Sequence, residues 1–182
     1  MRLKTLDDFP GMPEVTEDGD TLKANAHKKA REIHAYTGLP AIADDTALEV
    51  EALDGAPGVF SSRYAGEDAD YRDNMIKLLK DLNGIPPEQR RARFRTIIAF
   101  VNNAEAWDVE GVVNGYILDR PQGEGGFGYD PVFYYPPLEK TLSELDLNEK
   151  NRISHRGKAI EALLRKLQKK QDIEEETTGP HC

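Results

Sequence analysis

The chain has 182 residues, of which 31% are charged and 38% hydrophobic, a composition typical of one soluble globular domain with its own core. Its net charge of -9 argues against an extended nucleic-acid surface, which needs clustered lysine and arginine, and no stretch approaches the ~20 apolar residues of a membrane span. The single cysteine, Cys182, leaves no disulfide framework within the chain and no cysteine zinc cluster. Because the sequence shows neither a membrane span nor a basic-then-apolar signal pattern at its start, a cytoplasmic location is the default expectation.

The N-terminal part of the sequence predicts a loop followed by a helix. Prolines and glycines interrupt residues 1–20, which are therefore expected to be extended. Asp20 or Thr21 can cap the helix, and Gly38 follows its end. The apolar residues of this helix recur at helical spacing: Leu22, Ala26, Ala30 and Ile33. Lys29 lies on the polar side, either as a solvated residue or as one that binds a ligand.

Two adjacent acids follow a short apolar stretch, residues 39–43, that favours a buried strand. Asp44 and Asp45 are expected at the carboxyl end of this strand, the edge where sheets flanked by helices bind ligands. Neighbouring side chains of a strand point to opposite faces, so only one acid can face a given cleft unless the backbone turns between them. The alternative is that both acids simply end the strand and accept hydrogen bonds in a turn.

A loop rich in glycine and hydroxyl groups comes next, with the sequences DGAPG at residues 54–58 and SSRYAG at residues 61–66. Carboxylates suit a hard divalent cation, whereas backbone donors and positive charge suit phosphate oxygens. This loop therefore favours a functional interpretation of Asp44 and Asp45.

The middle of the chain predicts an amphipathic helix over residues 70–82 and two long strands over residues 92–101 and 107–117. Four residues between these strands, 102–105, suggest a hairpin and hence an antiparallel part of the sheet. The arginines near the first strand are expected to be solvated or paired with acids.

Residues 123–135 combine four glycines with aromatic side chains in one loop. Glycine allows positive φ and close approach of the backbone, and the Phe127 or Tyr129 ring could stack on a nucleobase. The alternative is a turn whose aromatic side chains fill the core.

The C-terminal part predicts a short helix over residues 142–151, then an amphipathic helix capped by Ser154. His155 and Arg156 fall in the first turn of that helix, where cations oppose the helix dipole. Such a placement invites a functional explanation. Residues 169–182 are polar and are predicted to form a flexible tail, which leaves a single domain over residues 1–168.

Together these stretches resemble the inosine/xanthosine triphosphate pyrophosphatase family. The motifs that carry the resemblance occur in the family's order: Leu22-Lys23-Ala24-Asn25-Ala26, Ala43-Asp44-Asp45-Thr46, Gly55-Ala56-Pro57-Gly58, Phe127-Gly128-Tyr129-Asp130 and Ser154-His155-Arg156-Gly157. The resemblance implies an elongated α/β fold of two lobes, with a central mixed sheet flanked by helices and a cleft between the lobes. It also implies a homodimer and Mg²⁺-dependent hydrolysis of ITP, dITP or XTP to the monophosphate and pyrophosphate.

The resemblance further implies a role for each matching residue. Asp45 would be the catalytic base and a metal ligand, with Asp44 as a second metal ligand. The expected substrate-binding residues are Thr46, Phe127, Gly128, Tyr129, Asp130, Lys150, His155 and Arg156. Phe127 would stack on the base, and Arg156, which carries only donors, would favour a 6-oxo purine over adenine.

Three features depart from the family pattern. The family opens with a strand and a Ser/Thr-Gly-Asn turn followed by a lysine that binds triphosphate, and residues 1–20 contain no counterpart. Ala24 stands where the family has a glutamate near the metal, and Ala47 replaces a glycine. The alternatives to an active pyrophosphatase are therefore a catalytically impaired nucleotide-binding relative or an incomplete chain.

Overall fold

A computed structural model describes residues 3–178, which form one six-stranded sheet with helices on both of its faces. In chain order the strands are β1 (Ala41–Val50), β2 (Pro57–Gly58), β3 (Arg91–Val101), β4 (Ala106–Ile117), β5 (Phe133–Tyr135) and β6 (Lys140–Thr141). The helices are α1 (Leu22–Thr37), α2 (Tyr71–Asp81), α3 (Leu147–Ile153) and α4 (His155–Thr178). The strands lie side by side in the order β2-β1-β3-β4-β5-β6.

Helix α1 begins and ends where its capping residues predict, and α2 begins one residue after its predicted start. The Thr21 side chain accepts a hydrogen bond from the Ala24 backbone N–H at 3.1 Å, and Gly38 ends α1 in the left-handed conformation at φ 67°. Asp70 caps α2 in a reciprocal capping box with Asp73. These boundaries depend on local chemistry, which explains why the sequence predicted them closely.

The two acids do not end a strand, so that prediction was wrong. β1 continues for ten residues and pairs with β3 along its whole length, with Asp44 opposite Ile98 and Asp45 opposite Ile97. Carboxylates are tolerated in mid-strand here because each meets a cation from a helix, Arg156 for Asp44 and Lys29 for Asp45.

The sheet is also not mixed, although the α/β class is confirmed. Every strand pair within residues 3–178 is antiparallel. A parallel neighbour needs a crossover that returns the chain to the starting end of the strand. After β1 the chain instead passes through β2 and α2 and re-enters the sheet beside Val50, so that Ala92 pairs with it and β3 runs in the opposite direction.

The hydrophobic core divides into clusters at two ends of the long strands, which accounts for the two predicted lobes. At one end, α1 packs on one face, around Ala26 and Ala99, and α4 packs on the other, around Ile98 and Leu163. At the carboxyl end of β1, a larger cluster includes Leu48 together with residues of α2 and β5. Burial of this apolar surface is the main stabilising contribution to the fold.

The C-terminal region differs in detail from its prediction. The short helix α3 starts at Leu147, later than expected, and α4 begins directly after Ser154 as predicted. Residues 169–178 of the predicted flexible tail continue α4, and the Lys170 ammonium pairs with Glu105. The rest of that tail, residues 179–182, lies outside the described residues. Among the helices described, none is both long and apolar enough to cross a membrane.

Candidate active site

Asp45 lies on the α1 face of the sheet, where it shares one cation with a second acid. The Lys29 ammonium is 3.1 Å from Asp45 Oδ1 and 2.5 Å from Glu17 Oε1. The Asp45 side chain is 9% exposed and that of Lys29 is 18% exposed. The alternative interpretation of Lys29 as a solvated residue is therefore wrong.

The environment of Asp45 favours the protonated carboxyl more than water does. Burial raises the pKa of Asp45, and the nearby Lys29 ammonium opposes this effect without cancelling it. Burial alone would lower the pKa of Lys29, but Glu17 and Asp45 together raise it. Lys29 is thus held as a cation beside a carboxylate whose basicity is increased, the environment expected of a general base.

Glu17 belongs to the irregular N-terminal segment, and the sequence offered no periodic pattern that would have revealed it. Its backbone carbonyl accepts a hydrogen bond from Arg63 Nη2 at 3.1 Å. Nearby, the Gly19 backbone N–H donates to Asn25 Oδ1 at 2.8 Å. The segment is therefore fixed against α1 and against the SSRYAG loop, beside Asp45.

Asp44 lies on the opposite face of the sheet, beside the start of α4. Its Oδ2 accepts hydrogen bonds from Arg156 Nε at 3.2 Å and from Arg156 Nη2 at 2.9 Å. The Arg156 and Asp44 side chains are about two-fifths exposed, so this ion pair stays accessible to a ligand. Asp44 and Asp45 thus serve different faces, as the alternation of a strand requires.

His155 is buried on the same face as Asp44, next to Arg156. Its imidazole stacks on the Phe94 ring, with the ring centroids 4.6 Å apart. Burial, reinforced by Arg156 and Lys150, lowers the pKa of His155 to about 3. The imidazole is therefore neutral at pH 7, and its Nδ1 has no hydrogen-bond partner among the described residues.

Phe127, Asp130 and Lys150 form a second group of predicted residues. Asp130 Oδ2 accepts a hydrogen bond from the Phe127 backbone N–H at 2.8 Å and also contacts the Lys150 ammonium. That ammonium lies 4.6 Å from the centroid of the Phe127 ring. A Cβ at Gly126, where φ is +75°, would approach Asp130 Oδ2 to 2.4 Å, so this turn requires glycine.

The remaining predicted residues are less directly placed for binding. Tyr129 is buried in the core, and its hydroxyl donates to the Ser61 carbonyl at 2.9 Å, so here the core-filling alternative is correct. Thr46 Oγ1 is hydrogen-bonded to Thr96 Oγ1 at 2.7 Å. Gly128 adopts φ +61°, with open space where a Cβ would be.

The residues around Asp45 fit a magnesium ion by the chemistry of their donors. Mg²⁺ is bound by one or two carboxylates together with the phosphate oxygens of a substrate. Asp45 and Glu17 supply carboxylates that meet at a single cation. The described residues contain no group of three or more acids, histidines or cysteines that could hold an ion by itself, so phosphate oxygens would have to complete the coordination.

A large cavity of about 830 Å³ lies away from these residues. Its lining includes Glu49, Arg93, Tyr116 and Pro136. None of the predicted site residues contributes to its lining. The Glu49 carboxylate binds Arg93 and Arg95, as predicted for the arginines near this strand. The prediction is wrong for Arg90, which is buried and donates to the backbone carbonyls of Ile85 and Leu118.

Comparison with known proteins identifies the family. The family model described as Ham1 matches residues 1–166. The chain belongs to the Ham1 family. It is 52% identical over 157 residues to a dITP/XTP pyrophosphatase of Desulforamulus reducens, covering 86% of this chain and 78% of that protein. It is 49% identical to the protein of the same name from Geobacter sulfurreducens, covering 88% of this chain and 81% of that one.

Solved Ham1 structures share the fold. The Staphylococcus aureus Ham1 protein superposes with a TM-score of 0.86 at 39% identity, covering 91% of this chain and 85% of that one. The Coxiella burnetii HAM1 protein gives a TM-score of 0.83 at 45% identity, covering 87% and 82%. The resemblance predicted from the sequence is thereby confirmed, together with the α/β class.

Proposed function

We propose that this chain hydrolyses non-canonical purine nucleoside triphosphates, namely ITP, dITP and XTP, to the monophosphate and pyrophosphate. The observation that carries the proposal is the buried Asp45–Lys29 pair, found in a chain about half identical to proteins named dITP/XTP pyrophosphatase. A carboxylate held in place by a cation can orient and deprotonate a water for attack on phosphorus.

Asp45 is the general base of this mechanism. Its carboxylate accepts a proton from the attacking water, a role favoured by the raised pKa that burial produces. Lys29 keeps Asp45 oriented through a 3.1 Å contact, and Arg63, 23% exposed, is a nearby cation for the phosphate oxygens. Proton acceptance in the correct geometry contributes about 10² to 10⁴ in rate.

Mg²⁺ is the proposed metal ion, with Asp45 and Glu17 as the carboxylates that would hold it. When bound, it would neutralise the charge that develops on the phosphates. Asp44 was predicted as a second metal ligand, but it lies on the opposite face and pairs with Arg156. We therefore propose that Asp44 orients Arg156 instead.

Recognition of the purine is assigned to the turn that carries Phe127 and to the start of α4. Phe127, 53% exposed, offers a ring on which the base can stack. Arg156 presents donors only, and a donor aimed at the purine 6-position accepts the oxo group of hypoxanthine while opposing the amino group of adenine. Neutral His155 supplies one donor and one acceptor, and Lys150 adds a further donor. The other proposed binding residues are Thr46, Gly128, Tyr129 and Asp130, of which Tyr129 lies in the core.

Two wider properties follow from the resemblance to the family. We propose a homodimer in the cytoplasm, which size-exclusion chromatography with light scattering and fractionation of cells would test. No nucleic-acid partner is proposed, in keeping with the net charge of -9.

The deciding experiment measures pyrophosphate release from ITP, XTP, dITP and ATP with Mg²⁺, for the wild type and two variants. We expect oxo-purines to be cleaved preferentially and Asp45→Asn to lower kcat by at least about 100-fold. The matched control is Asp108→Asn, the same change at an acid that pairs with Lys23 and His27. Equal cleavage of ATP and ITP would contradict the proposed selectivity, and an Asp45→Asn variant with unchanged kcat would contradict the assignment of the base.

A further inference from the structure

Two exposed aromatic rings lie side by side at the edge of the proposed base site. The ring centroids of Tyr71 and Phe127 are 6.1 Å apart, and the ring planes are inclined by 43°. Tyr71 is 60% exposed and Phe127 is 53% exposed. Tyr71 comes from α2, more than fifty positions before Phe127 in the sequence, and none of the motifs that predicted the site includes it.

Hydrogen bonds fix the backbone at both aromatic residues. Tyr71 is the first residue of α2, directly after the Asp70–Asp73 capping box. Phe127 follows the glycine turn, and its backbone N–H donates to buried Asp130 at 2.8 Å. The rings therefore project from fixed positions, while their own surfaces remain largely in solvent. Large exposed apolar groups in such a position commonly mark a binding site.

We propose that Tyr71 provides a second aromatic face for the purine, so that the base stacks between Tyr71 and Phe127. This inference rests on the proposed function, because it assumes that Phe127 takes the base. Two ring-to-base contacts of about 3.5 Å each need a separation of about 7 Å. The rings are 6.1 Å apart, so they would open by about 1 Å and turn toward parallel.

That adjustment is small for these two side chains. Rotations of exposed side chains are fast and need no movement of the backbone, and neither ring belongs to the buried core. The tilted contact allows the two rings to cover part of each other's apolar surface without ligand. A base that enters replaces this contact with two stacked ones.

Stacking on Tyr71 would select for a base and not for a particular purine. An aromatic face accepts any nucleobase, so discrimination would stay with the donors of Arg156. Loss of the Tyr71 ring should therefore weaken all purine nucleotides to a similar degree, by about 5- to 150-fold. It should leave the affinity for inorganic pyrophosphate unchanged, because pyrophosphate has no base.

The test uses the full chain with Tyr71→Phe, Tyr71→Leu and, as a matched control, Ile76→Ala. Ile76 is another exposed apolar residue of α2, at 52% exposure. Calorimetry measures IMP affinity, quenching of 2-aminopurine ribonucleoside monophosphate fluorescence reports stacking, and competition measures pyrophosphate affinity. We expect Tyr71→Phe and Ile76→Ala to resemble the wild type, and Tyr71→Leu to bind IMP about tenfold more weakly with reduced quenching.

Leucine separates stacking from simple packing, because it keeps apolar volume beside Phe127 but has no ring. Wild-type IMP affinity and quenching in Tyr71→Leu would overturn the inference, as would equal losses of IMP and pyrophosphate affinity. Pyrophosphate release from ITP by the wild type reports separately on the proposed function. If the wild type fails to cleave ITP while Tyr71→Leu still loses IMP affinity, only the proposed function fails.

Discussion

Replacing Asp130 by asparagine tests how the aromatic loop is held. Asp130 Oδ2 accepts hydrogen bonds from the Phe127 backbone and from Lys150, and its side chain is only 3% exposed. Asparagine keeps the shape and can still accept from Phe127, but it has no charge for Lys150. The Lys150 side chain is 13% exposed, so its ammonium would remain largely buried without a partner.

The loss of stability in Asp130→Asn can be worked out from these contacts. A hydrogen bond to a charged group contributes about 1.5 to 3 kcal/mol, and removing one partner of a buried ion pair costs about 3 to 5 kcal/mol. Because Lys150 keeps some exposure, we expect Asp130→Asn to lower the free energy of unfolding by about 2 to 4 kcal/mol. The Phe127 ring would also lose its fixed position, so KM for ITP should rise more than kcat falls.

Urea unfolding and steady-state kinetics measure the two effects. Asp119→Asn makes the same change of charge at an exposed residue and should alter stability by less than about 0.5 kcal/mol. The reasoning would be refuted if Asp130→Asn matched Asp119→Asn in stability and kept the wild-type KM.

Three further predictions concern pH and packing. The pKa of His155 is lowered to about 3 in the folded protein and is about 6.5 in the unfolded chain. Its contribution to stability is therefore present above pH 6.5 and is lost by up to about 1.4 kcal/mol per pH unit as the pH falls toward 3. In urea titrations between pH 7 and 4, the stability of His155→Gln should fall less steeply than that of the wild type. Lys29→Met should move the acid limb of the kcat/KM profile to higher pH by about 1 to 3 pH units, because Lys29 lowers the pKa of Asp45 while burial raises it. An acid limb at the wild-type pH would contradict this prediction, and Lys28→Met is the control. Gly111→Ala should destabilise the protein by about 1 to 3 kcal/mol in thermal or urea unfolding, because the new Cβ would lie 2.0 Å from the His155 carbonyl oxygen. A variant as stable as the wild type would contradict this prediction and would show that α4 can shift at little cost.

The parts of the fold that depend on local chemistry could be predicted from the sequence. Thr21, Gly38 and Asp70 mark helix ends through hydrogen bonds within a few residues, and the alternating apolar residues of β3 and β4 mark strands. The candidate site was proposed as a set of residues from the resemblance of its motifs to those of a family. The placement of these residues on two faces of one sheet could be anticipated only from Asp44 and Asp45, because neighbouring side chains of a strand point to opposite faces.

Features that depend on distant partners were missed. Asp44 is stable in the middle of a strand because it pairs with Arg156, which lies 112 residues away in the sequence. Glu17 lies in an irregular segment, so no periodicity distinguished it from other surface acids. Tyr71 is an ordinary helix-start residue by sequence, and only the folded chain brings it beside Phe127.

The pairing of β1 with β3 has a consequence for how this chain can change over time. A one-residue insertion or deletion in β1 upstream of the acids would shift the strand register by one and exchange the faces on which Asp44 and Asp45 lie. Asp45, the proposed general base, would then meet Arg156, and Asp44 would meet Lys29. Length changes in this strand should therefore be far more harmful than most substitutions there, and a library of single-codon deletions scored for ITP hydrolysis should be depleted across residues 41–45.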